Sequence, residues 1–370
     1  MALTQKLFRF GFGKMKKRLY IHIGHYKTGT SALQFLMDLN RAPLAEMGVN
    51  YLEFGCHNSK HSRFAFSILR EAGVETLMHG YANPASSAEL WRDLFAAVRS
   101  SKQATCVISS EEFMRIGCFP DAHAQLRTLA AEAHDIDVRV IVYLRPPDSH
   151  LRSWYNQLVK MGQPVPAFNQ AVCEVIEPVH YNYAQALAPW SDVFGPDALI
   201  VRPYKSEWRG GTGLYSDFLS IFDLPLDTEK LRLPKKDPNP RLQDQVTDLV
   251  RLMQNADLPS KTIEYAQKRA GAFLTREQAL AHDDDLDFTS IAQHCREGLE
   301  TLATFPHNHI DLEEFSSALP VPDAEEPVEL LQLVGFVLAE MKHQRQMLQK
   351  ANAELRTRVA DLEERLNADS

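Results

Sequence analysis

The chain has 370 residues, 45% hydrophobic and 24% charged, a balance that suits a globular protein with a sizeable core and excludes a disordered, collagenous or small disulfide-stapled chain. With 40 basic and 48 acidic residues the net charge is -8, which excludes a globally basic nucleic-acid binder. The sequence contains neither an apolar run of about 18 residues nor a signal-peptide core, and its five cysteines are far apart with no CxxC pair. A cytoplasmic protein without membrane span, disulfide or zinc is expected.

Residues 1–17 read as a basic arm. Lys6, Arg9, Lys14, Lys16 and Lys17, with Arg18 next in line, carry +6 and no acid, leaving -14 for the rest. Leu7, Phe8, Phe10 and Phe12 interleave with these charges, so the arm is either a solvated tail or a peripheral contact to an anionic inner-membrane surface.

From residue 18 the pattern alternates strand and helix. Arg18–Gly24, Val49–Phe54, Ala104–Ser109, Asp137–Leu144 and Ala198–Arg202 are rich in β-branched and apolar residues and predict strands. Helical spacing fills the gaps at Ser31–Leu39, Ala88–Ser100, Ala122–Ala133 and Ser149–Met161. Such alternation implies right-handed crossovers, hence a three-layer α/β fold with a mostly parallel sheet. Beyond Lys205 the sequence turns helical, with candidates at Leu214–Phe222, Leu242–Gln254, Ser260–Phe273 and Phe288–Leu302, and Asp283–Asp285 reads as a solvated loop. One α/β domain over residues 18–317 is therefore expected. Residues 318–327 hold three prolines and an acidic run and read as a linker.

Residues 328–370 carry a heptad pattern. One seam position takes Val334, Met341, Leu348, Leu355 and Leu362; the other takes Leu331, Leu338, Arg345, Asn352, Val359 and Leu366. A terminal coiled-coil helix and a homodimer are expected, with Asn352 the kind of seam residue that fixes register. A lone amphipathic helix packed on its own domain is the alternative.

The chemistry-bearing segment is Gly24-His25-Tyr26-Lys27-Thr28-Gly29-Thr30-Ser31, between the first strand and the first helix. Backbone N–H groups and the positive end of a helix dipole converge in such a turn and suit phosphate. Lys27 adds a point charge, Gly29 permits close approach, and Thr28, Thr30 and Ser31 bring hydroxyls. The loop is P-loop-like without being a Walker A motif, whose lysine follows the second glycine.

Lys-Thr-Gly-Thr-Ser after a first strand resembles the 5′-phosphosulfate loop of sulfotransferases that use 3′-phosphoadenosine 5′-phosphosulfate (PAPS). Tyr143 to Tyr155 adds to the resemblance, because Arg145 closes a strand and Ser153 follows eight residues later, the spacing of that family's 3′-phosphate site. More loosely, Val201–Tyr204, the turn Trp208–Gly213 and Asp217–Leu219 resemble a later segment in which Arg209 would close over the same phosphate. His25 departs from the proline often found at that position. The resemblance spans roughly residues 17–315 and implies PAPS as sulfuryl donor, in-line transfer to an acceptor hydroxyl, and no metal.

A general base is required, and His and Glu are both used for it in that family. The residues expected at the carboxyl edge of the sheet are Glu53, His57, His61, Glu111 and Glu112. His61 is the first choice, as a histidine titrating near neutrality, with Glu111 or Glu112 next. Trp154, Tyr155, Tyr181, Tyr183 and Trp190 favour a carbohydrate acceptor. A nucleotide kinase sharing the phosphate loop and a non-catalytic scaffold dimerised by its last helix are the competing readings.

Overall fold

The structure is a computed structural model describing residues 16–75, 77, 85–234, 244–255, 258–274, 288–321 and 330–368. The arm through residue 15, Asp283–Asp285 and most of the linker lie outside the described residues. The chain forms two compact units, one from residues 1–154, 176–240 and 287–321, the other from 155–175, 241–286 and 322–370. Residues 241–286, read from sequence as part of the α/β domain, thus group with the C-terminal helix.

The first unit is built on five parallel strands, β1 (Lys17–His22), β2 (Val49–Tyr51), β3 (Thr105–Ser109), β4 (Ile136–Leu144) and β5 (Leu199–Pro203), ordered β2-β3-β1-β4-β5. Each expected strand is present within three residues of its predicted ends. Lys17 and Arg18 belong to β1 and not to the arm. Lys17 Nζ donates to the carbonyls of Ser101 and Gln103 at 2.6 and 3.0 Å, and Arg18 pairs with Asp137 at 2.7 Å.

The helices between strands are α1 (Thr30–Leu39), α2 (Arg41–Glu46), α3 (Ser62–Glu71), α4 (Ser87–Ser100), α5 (Pro120–Ala130), α6 (Pro147–Lys160), α7 (Phe168–Glu174) and α8 (Tyr183–Phe194). After β5 come α9 (Gly213–Ser220), α10 (Asp244–Asn255), α11 (Ser260–Leu274), α12 (Phe288–Ala303), α13 (Leu312–Ser317) and α14 (Leu330–Ala368).

Alternation along the strands divides the core between two faces. On one face Tyr20, Val107, Ile141 and Tyr143 pack with Leu33, Leu36 and Met37 of α1 and Leu214 and Phe218 of α9. An aromatic chain lies away from that cluster, Phe64 of α3 meeting Trp91 of α4, and Trp91 meeting Phe113, which meets Trp190 of α8, at centroid distances of 6.1, 6.2 and 5.5 Å. None of the five cysteines, all among the described residues, forms a disulfide.

In the second unit α10 packs on α11, and the start of α14 is held to α11 by Tyr265 Oη with His343 Nε2 at 3.0 Å and by Arg269 with Glu340 at 3.5 Å. Among the described residues no helix is long and apolar enough to cross a membrane.

Candidate functional site

The strand order fixes where a ligand belongs. From β1 the chain moves toward the β2 edge and from β4 toward the β5 edge, so adjacent β1 and β4 send their connections in opposite directions. Crevices at such points, outside the carboxyl ends of the strands, are the binding places of open α/β sheets. Here the loop after β1 carries Lys27, and the residue after β4 is Arg145.

Loop geometry follows from its small and hydroxylated residues. Gly24 and Gly29 have φ of +56° and +81°, and Lys27, at +65°, takes the same left-handed conformation without a glycine's freedom. The hydroxyls of Thr28 and Thr30 both donate to the His25 carbonyl, at 2.7 and 3.1 Å, and tie the turn together. These two threonines are buried, so their hydroxyls are scaffold and not free ligand donors as the sequence suggested. Ser31 is the partly exposed hydroxyl of the loop. Gly29 is the N-cap of α1 and offers no side chain to cap it, leaving the first N–H groups of the helix open to an anion. A Cβ on Gly29 would run into Leu214 Cδ2 and lie 3.1 Å from Tyr204.

Arg145 is 5% exposed and joins the two halves of the crevice. It donates from Nη1 to the Lys27 carbonyl at 3.4 Å and from Nη2 to Ser149 at 2.8 Å and Ser206 at 3.4 Å, with its guanidinium 5.3 Å from the Tyr204 ring. Ser153 is one helical turn beyond Ser149 on the same face of α6. It is buried, and its hydroxyl has no hydrogen-bond partner. Arg209 is exposed, with no side-chain hydrogen bond or ion pair among the described residues; its neighbour Ser206 is what reaches Arg145.

The base candidates separate clearly. His61 is fully buried, accepts from Ser109 N–H at Nδ1 (3.1 Å), and therefore donates from Nε2 to the Leu52 carbonyl (2.8 Å). Burial pushes its pKa down to about 4. With both nitrogens engaged by backbone, it is a structural strut and has no lone pair for a substrate proton, contrary to the sequence expectation. His57 and Glu53 are exposed and line an open cleft of about 590 Å³ with Phe35 and Asp38.

Glu111 and Glu112 begin a 3-10 helix, Glu111–Cys118, at the end of β3. Ser110 caps it, accepting from Glu112 N–H at 3.2 Å. Burial opposes the Glu111 charge, but its ion pair with Lys60 and the Gln34 amide at 3.0 Å prevail and hold the carboxyl below its ordinary value. Glu112, 2% exposed, is pushed up to about 7 by burial and by the neighbouring Glu111 charge. Tyr26, adjacent to Lys27, donates its hydroxyl to Glu112 Oε2 at 2.7 Å and so ties the acid pair to the loop after β1. Nothing in the sequence pattern singled out Tyr26, Gln34 or Lys60, because each acts through a long-range contact.

Behind the loop, His25, His150 and His180 cluster, fully buried, each offering one nitrogen within 4.8 Å of the others. This is the one group of metal-ligand type among the described residues. Burial pushes His25 down to about 4 and His150 and His180 well below their ordinary value, so the rings are neutral. Lys27 and Arg145 also act on His150, and Arg115 on His180, while no carboxylate or thiolate belongs to the cluster. Trp154 packs against the cluster, its ring stacked on His180 at 4.3 Å.

No protein-family model matches the chain, and no curated protein does. Among solved structures, a sulfotransferase from Alicyclobacillus acidocaldarius aligns at 16% identity and a TM-score of 0.38, over 67% of this chain and 98% of that one. A likeness that distant carries no weight for chemistry, so the functional reading stands on the crevice itself.

Proposed function

We propose that the chain is a sulfotransferase that moves a sulfuryl group from PAPS to an acceptor hydroxyl. The observation that carries the reading is the meeting of the Lys27 loop and Arg145 where β1 and β4 part, as a nucleotide with phosphates at both its 5′ and 3′ positions requires. The open N–H groups of α1 and the buried, unpartnered Ser153 hydroxyl are donors without acceptors, and so fit phosphate oxygens. Lys27, Ser31 and the loop amides would hold the 5′ side; Arg145, with Ser149 and Ser153, the 3′ side.

In this reading Lys27 and the helix N-terminus stabilise charge building on the leaving phosphate oxygen. Glu112, with a pKa of about 7, takes the acceptor proton, and Tyr26 holds that carboxylate toward the loop. Glu111 stays ionised beside Lys60 and keeps the pKa of Glu112 raised. A carbohydrate hydroxyl remains our proposed acceptor, and the basic arm our proposed contact to an inner-membrane surface.

The test is isothermal titration with 3′-phosphoadenosine 5′-phosphate and separately with ATP, on wild type, Lys27→Ala and Arg145→Ala. Binding at about -8 kcal/mol, near 1 μM, is expected for the bisphosphate, lost in both variants and absent for ATP. A folded wild type that binds neither, or prefers ATP, refutes the proposal.

A further inference from the structure

From Gln344 to Leu362 every described residue of α14 is exposed, beyond the point where His343 and Glu340 tie the helix to α11. Exposure of polar residues there is ordinary. What is not ordinary is that Met341, Leu348, Leu355, Val359 and Leu362 are also 52–65% exposed. Together with Met347 they are the large apolar residues of 341–362, and all but Met347 fall on the two seam positions of a heptad repeat. Met341, Leu348, Leu355 and Leu362 occupy position d; Arg345, Asn352 and Val359 occupy position a. A stripe of this kind, about 30 Å long at 1.5 Å per residue, is stable in water only when another helix covers it.

We infer that the partner is α14 of a second copy of this chain, packed parallel and in register. Asn352 decides between partners. An amide in an apolar seam needs a donor and an acceptor opposite it, and parallel in-register pairing supplies both from Asn352 of the second copy. Antiparallel pairing would set position a against position d and face the amide with Leu348 or Leu355, leaving it unpaired. The flanking positions agree. In the parallel arrangement Gln344 opposes Gln349 and Ala351 opposes Arg356, so no like charges meet at these flanking positions. Leu at d with an Asn and a Val at a is the pattern of two strands, not three. Arg345 is long enough to lay its stem along the seam and keep its guanidinium in water.

This inference is independent of the proposed chemistry and so is its test. Light scattering of the full chain at micromolar concentration should return twice the chain mass, and the double variant Leu348→Lys/Leu355→Lys should return one. Both leucines are exposed, so the thermal transition of the remainder should not move. Arg345→Cys and Val359→Cys, each alone and with oxidised glutathione as oxidant, should cross-link to their own counterparts, against a wild-type control carrying only the native cysteines. Self-pairing at two positions fourteen residues apart requires parallel register. A monomeric wild type, or a dimer that survives the double lysine variant, overturns the inference. Failure of either cysteine variant to cross-link overturns the parallel register.

Discussion

Replacing Glu112 by Gln separates what burial does to this carboxyl from what it does in transfer. The pKa of Glu112 rises from 4.5 to about 7 because its charge is desolvated and faces Glu111. A carboxyl raised in the fold binds its proton more tightly in the native state, so stability falls as pH climbs from about 4.5 to about 7 and stays reduced above. At about 1.4 kcal/mol per pKa unit the full penalty is about 3 kcal/mol. Gln keeps an oxygen for the Tyr26 hydroxyl and cannot ionise. The variant should therefore be more stable than wild type by about 1 kcal/mol at pH 5.5 and about 3 kcal/mol at pH 8. Urea denaturation of both proteins at the two pH values measures this directly. Sulfuryl transfer should meanwhile fall by about 10²–10⁴. A variant less stable than wild type at pH 8, or a difference that does not grow with pH, would refute a desolvated, raised Glu112 whatever the activity shows.

Three further outcomes are expected. Gly29→Ala meets Leu214 Cδ2 and adopts φ +81° at a cost of about 1–3 kcal/mol, and titration should show weakened nucleotide binding; wild-type affinity would contradict the close approach. His61→Ala leaves Ser109 N–H and the Leu52 carbonyl unpaired, so the melting temperature should drop with a loss of about 1–3 kcal/mol while the pH profile of kcat among folded molecules keeps its shape; loss of the acidic limb would restore His61 as base. His22, His25 and His61 are held neutral with pKa values near 4, and a lowered histidine loses its contribution as pH falls from 6.5 to 4. Those three sum to about 10 kcal/mol, comparable to a whole domain's stability, so circular dichroism should show cooperative unfolding in that window. A fold intact at pH 4 would show that the rings are not buried neutral.

The strands and the turn between β1 and α1 were legible because their signals are local: β-branched runs, a glycine turn, an arginine closing a strand. Helix α3 was not, since its ten residues offer fewer than three turns of pattern. Pro189 inside α8 broke the pattern there in a similar way. The sequence marked Glu111 and Glu112 as a pair but could not rank them, because what separates them is Lys60 on one and Tyr26 on the other. His61 misled for the same reason: two backbone partners, invisible in the sequence, turn a plausible base into a strut.

The stretch from Tyr204 to Leu214 touches both sides of the crevice. Tyr204 and Ser206 contact Arg145, while Tyr204 and Leu214 crowd Gly29. A nucleotide lying between Arg145 and the Lys27 loop would thus share its walls with one short piece of chain, which could not yield at one phosphate without loosening the other. Its two ends would let go together. Departure of the spent bisphosphate would then be a single concerted event, slow compared with encounter and sensitive to substitutions at positions that never meet the ligand.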